Sequence, residues 1–125
     1  MDNHSLLKEI QAKLLGIELN LDLTEQSIEE IGADINFLGL MEEETVYNIN
    51  FLKKNGIVAD LKTYRQSWVK LSHIRTKTQQ LMSKKGSLNR ELEKQVKAKE
   101  YYDLEWDKLH RAMEDDKIVL VFKRK

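Results

Sequence analysis

The chain has no cysteine and no proline, and only five glycines and three phenylalanines in 125 residues. Without cysteine there are no disulfides and no thiolate metal sites. A reducing compartment suits such a chain, and a cytoplasmic location is expected. Without proline, nothing interrupts a helix by the roughly 3 kcal/mol that an interior proline costs. No stretch approaches the roughly 18 consecutive apolar residues of a membrane span, so no membrane partner is expected. The opening Met1-Asp2-Asn3-His4-Ser5 lacks a basic region followed by an apolar run, and no secretory leader is expected.

Catalytic signatures are also missing. There is no glycine-rich phosphate loop, no histidine pair at zinc spacing and no nucleophile beside a base. His4, His73 and His110 are scattered. Asp107 and Glu114 each lie about one helical turn from His110, but carboxylate-bridged metal sites in helix bundles need several such pairs at one level. An exposed, charged helix end is the expected role of this segment, and neither enzymatic activity nor a cofactor is expected.

What is present is periodicity. Leu7, Ile10, Leu14, Ile17, Leu21, Thr24, Ile28, Ile31, Ile35 and Leu38 recur at alternating spacings of three and four, and nine of these ten are apolar. This is a coiled-coil stripe. It blurs at Gly39 and Glu42-Glu43-Glu44 and resumes loosely at Val46, Ile49 and Leu52. Asn55-Gly56 is a helix stop, because glycine accepts a positive φ, and Asp60 is a good N-cap for the next helix. After Leu61, Tyr64 and Trp68 a second stripe runs Leu71, Ile74, Thr78, Leu81, Lys85, Leu88, Leu92, Gln95, Lys99, Tyr102, Trp106, Leu109 and Met113. Met82 and Val96 lie beside its polar positions, so this helix is expected to drift in register. It should stop near Glu114-Asp115-Asp116, since acids sit badly at a helix C-terminus. Ile118-Val119-Leu120-Val121-Phe122 reads as a short strand.

The expected fold is therefore all-α and a single domain over 1–125. Helices at about 5–54 and 61–114 form a long antiparallel coiled-coil hairpin, joined by a turn at 55–60 and followed by a short C-terminal strand at 118–122. A local alternative stands beside it: Ile17 to Leu23 alternates apolar and polar residues, which is a strand period, and such a strand would pair with 118–122. The same pairings also arise if two chains exchange helices with the turn straightened.

The net charge of zero conceals a division: residues 1–54 carry 11 acids and four bases, residues 55–125 ten acids and 17 bases. A bend near residue 57 makes facing residue numbers total about 114. It brings Glu29 and Glu30 to Lys84 and Lys85, Glu18 to Lys97, Glu9 to Lys108, Lys8 to Glu105 and Asp107, Lys13 to Glu100 and Asp103, and Lys53 and Lys54 to Asp60. Glu91 and Glu93 find no basic partner under this rule.

Two function classes follow. The off-seam residues Leu6, Leu15, Leu19, Leu23, Phe37, Val69, Val96 and Leu104 cannot all hide between two helices. With Ile118, Leu120 and Phe122 of the strand, they point to a non-enzymatic interaction or assembly factor, acting as a scaffold, adaptor or inhibitor. Its partners are further copies of itself, in a helix bundle, and another protein. Trp68, Tyr102 and Trp106 are expected in the core. The alternative is a nucleic-acid-binding accessory of recombination, replication or genome packaging, including those of viruses. It would use Lys70, Lys77, Lys84, Lys85, Arg90, Lys94 and Lys97 on a segment (62–99) with 11 bases and two acids. Against this, the basic stripe is expected to mate with the acidic first helix.

Overall fold

A computed structural model describes the backbone of residues 2–124 and the side chains of residues 2–57 and 60–114, and the structural statements that follow concern these. Two long helices pack as an antiparallel hairpin: α1 (Asn3–Asn55), a 3₁₀ turn (Ile57–Asp60) and α2 (Leu61–Arg124). Internal contacts divide the chain into two compact units, one of Met1–Glu25 with Arg90–Lys125, the other of Gln26–Asn89 with the turn. In each, a segment of α1 lies against a segment of α2. No strand occurs among the described residues: α2 runs on through Ile118–Phe122, so the strand expected there is not supported, and the helix does not stop at 114–116 as expected. No helix among the described residues is long and apolar enough to cross a membrane.

The helix ends are capped by the residues best suited to it. At the start of α1 the Asp2 carboxylate accepts the Ser5 backbone N–H at 2.7 Å, which holds its pKa below the ordinary carboxylate value. Asp60 caps α2, its carboxylate accepting from the Thr63 N–H at 3.4 Å, as expected. α1 ends where Asn55 Nδ2 donates to the Phe51 carbonyl and Gly56 adopts φ +97°. Lys53 and Lys54 occupy its last turn, where positive charge complements the helix dipole.

Between the helices runs a narrow apolar seam. Ile10 is buried in one unit, and Ile31, Ile49, Leu71 and Ile74 in the other. The spacing of three and four never lapses. At the apparent gap in α1, Glu42 and Thr45 hold the seam positions; Thr45 is only 2% exposed and its hydroxyl donates to the Met41 carbonyl. α2 does not drift: from Tyr64 and Ser67 to Met113 every position of one three-four register is buried or half-buried. Trp68, expected in the core, stands outside that register and is 42% exposed. Ser67 takes its place on the seam side.

No strand forms at 17–23, where α1 is continuous. Ile17 and Leu21 face α2, and Leu19 and Leu23 face away. Residues four apart share a helix face, so two such ladders on opposite faces, offset by two residues, produce an alternating sequence without a strand.

The charge alignment shifts by three. Glu42 meets Arg75 at 3.0 Å and Glu18 meets Lys99 at 3.9 Å; each pair of residue numbers totals 117 and not 114, because the bend centres within Ile57–Asp60. Glu9 pairs with Lys13 and Lys108 with Glu105, each inside its own helix and not across the hairpin. Half-buried Lys85, a polar seam position, escapes over Gly32, its Nζ 3.9 Å from where a Cβ would stand there.

These two glycines should respond oppositely to alanine. Gly56→Ala places a Cβ at a positive φ and is expected to cost about 1 kcal/mol. Gly32→Ala meets only the flexible end of Lys85 and should gain up to about 1 kcal/mol from helix propensity. Urea midpoints of the two variants check both signs.

Candidate interaction surface

A helix that packs on one neighbour needs one apolar stripe; α1 carries two. In the Gln26–Asn89 unit, Phe37, Leu40, Tyr47 and Phe51 are all more than half exposed, on the face turned away from α2. Their spacing, with Ala33 before and Glu44 between, is again three and four. In the other unit Leu15, Leu19 and Leu23 are similarly exposed on α1. Of these residues the sequence had marked Leu15, Leu19, Leu23 and Phe37 as off the seam. Leu40, Tyr47 and Phe51 escaped notice because Glu44 breaks their run, although the second spacing was there to read.

The outer face of α2 differs. Val69 and Leu104 are exposed as expected, but among polar neighbours. The side chains of Ile118, Leu120 and Phe122 lie outside what the structure describes. A shallow concave strip beside Val69 is lined by Arg65, Gln66, Lys70 and His73, and it continues past Ser72, Thr76, Lys77 and Gln80.

The basic stripe is not consumed by α1. Lys70, Lys77, Lys84, Lys94 and Lys97 are exposed and form no ion pair with any described carboxylate. Arg90 is exposed and engaged in a contact of its own, and Lys85 is turned over Gly32. The cations that do bridge to α1, Arg75 and Lys99, are not among those seven. On α1, Asp34, Glu43 and Glu44 likewise pair with no described cation. Mating of the two charge sets within the chain, expected from composition, is thus confined to a few sites. Lys70, Lys77 and Lys84 each precede a seam position of α2 and stand exposed along its flank, within 4.0 Å of no described carboxylate.

The aromatic residues divide. Trp68 packs edge-on to Tyr64, ring centroids 6.3 Å apart, with the Lys53 ammonium 5.5 Å from its ring. Tyr102 is half-buried under Lys13, whose Nζ lies 5.4 Å from the ring. Half-buried Trp106 stacks on His110 at 4.7 Å, and His110 Nδ1 lies 3.6 Å from Glu114. No group of three or more potential metal-ligating side chains occurs among the described residues.

Comparison with protein-family models, with curated proteins and with solved structures returns no match.

Proposed function

We propose that the protein is a non-enzymatic interaction or assembly factor, a coiled-coil hairpin that presents a second apolar helix face to other protein surfaces. The observation that carries this is the pair of opposite stripes on α1, of which α2 covers one. Exposed apolar surface in contiguous stripes is the usual mark of a contact site.

A photo-reactive residue in place of Leu40, introduced in cells that express the protein, tests the reading. Covalent protein adducts are expected from position 40 and not from the seam position Leu81. Absence of any adduct at 40, 47 and 51 alike would remove the proposal.

One observation favours a second reading, a nucleic-acid-binding accessory: Lys70, Lys77, Lys84, Lys94 and Lys97 are unpaired. Five phosphate contacts would give log affinity a slope against log salt of about −4 to −5 on duplex DNA. Filter binding between 50 and 200 mM salt measures it. Retention that is absent at low salt, or flat with salt, excludes this reading.

A further inference from the structure

Within the Gln26–Asn89 unit the two outer faces are opposite in chemistry and matched in period. On α1, Phe37, Glu44 and Phe51 recur every seven residues, with Leu40 and Tyr47 interleaved and Asp34 and Glu43 alongside. These are large side chains, and the local charge is acidic. On α2, Lys70, Lys77 and Lys84 also recur every seven residues, beside the small residues Ser72, Thr76 and Ser83. From Leu61 to Asn89 α2 has seven lysines and arginines and no acid. Of these, Arg75 alone forms an ion pair with α1. One face therefore offers bulk with unpaired negative charge. The other offers a shallow floor, lined by Ser72, His73, Thr76 and Gln80, with unpaired positive charge.

We infer that the occupant of the outer α1 face is α2 of a second copy of this chain, an inference that rests on the interaction reading above. Laid antiparallel, Glu44 meets Lys77 of the second copy, while Phe37 and Phe51 lie under its Lys84 and Lys70. Ammonium groups over aromatic rings are attractive, more so once water is excluded. Leu40 and Tyr47 seat on the small residues between the lysines, as knobs enter holes in a helix pair. The repeat covers 14 residues on each helix, about 21 Å at 1.5 Å per residue. Since the two outer faces of a hairpin point away from each other, the contact is heterologous. Copies add head to tail until a ring closes or a filament grows.

Charge reversal with mixing tests this. One full-length variant carries Glu43→Lys and Glu44→Lys; the other carries Lys70→Glu, Lys77→Glu and Lys84→Glu. By sedimentation at low salt, the unmodified chain should run at two or more times 14.7 kDa and fall to the single-chain mass as salt rises to about 1 M. Each variant alone should run as a single chain, and the two mixed should recover the heavier species. A neutral variant, Leu40→Gln with Tyr47→Gln, should also be single-chain, with helical circular dichroism retained. This keeps the test decisive if a charge variant fails to fold. The inference is overturned by an unmodified chain that stays at 14.7 kDa throughout, by variants that assemble normally, or by a mixture that stays apart. Adducts from position 40 to other proteins, with the chain itself monomeric, would overturn self-association and leave the interaction reading standing. If the lysine variant loses nucleic-acid retention while the unmodified chain is single, the lysines belong to nucleic acid and the inference also falls.

Discussion

Leu71→Ala should destabilise the hairpin by about 2–5 kcal/mol, the range for deleting a fully enclosed leucine and leaving a cavity. Leu71 is 2% exposed and is the largest side chain enclosed so completely. A seam only two helices wide has few residues to share such a loss. Against a typical total stability of about 5–15 kcal/mol, this single change consumes a large fraction. Leu40→Ala removes the same atoms from a side chain that is 65% exposed. In dilute protein at high salt, where copies are separate, it should shift stability by less than about 0.5 kcal/mol. Urea unfolding followed by circular dichroism measures both. Equal costs would mean that the seam is not where the folding energy resides.

The second expected effect has the opposite sign. In the unit of Met1–Glu25 and Arg90–Lys125, Thr24 and Gln95 place a polar layer in the seam, with Gln95 Nε2 donating to Thr24 Oγ1 at 3.1 Å. Gln95 Oε1 is buried with no partner. An orphaned acceptor costs about 1–3 kcal/mol, so Thr24→Val with Gln95→Leu is expected to raise stability by that order. Such layers hold a coiled coil to one alignment, because any other leaves both groups unpaired. The double variant should therefore also populate slipped alignments. Disulfides engineered at facing positions whose residue numbers total 117, and at positions one heptad out of step, would report the slip. A double variant that is less stable, or that cross-links only in the native alignment, contradicts this account.

How much of this was legible in the sequence depended on which residues carried the signal. The heptad spacing of isoleucines and leucines identified both helices and their antiparallel packing, and Asn55-Gly56 and Asp60 located the bend. Where polar residues held seam positions, the pattern looked broken: Glu42 and Thr45 suggested a lapse, and Gln95 and Lys99 suggested drift. The helices satisfy these residues with their own carbonyls or with cross-pairs, so the geometry continues underneath. Trp68 misled in the opposite way, since its size suggested core while small Ser67 held the inward position. Mirroring the charges found the direction of packing but missed the alignment by three residues, because the 3₁₀ turn lengthens the bend. The surface was only half visible. Outward apolar residues could be named singly, but their order as a second stripe became evident once α2 was seen to occupy the other face.

That α1 precedes all of α2 has a consequence for biosynthesis. At about 5–20 residues per second, the ribosome needs seconds to add the segment that zips onto α1. Throughout that interval the nascent helix has both flanks bare. Closure then proceeds outward from Gly56, since contacts near the bend close the shortest loops and each later one follows at small entropic cost. Newly made α1 segments on neighbouring ribosomes of one messenger are alike in charge, which keeps them apart until their own second helix arrives.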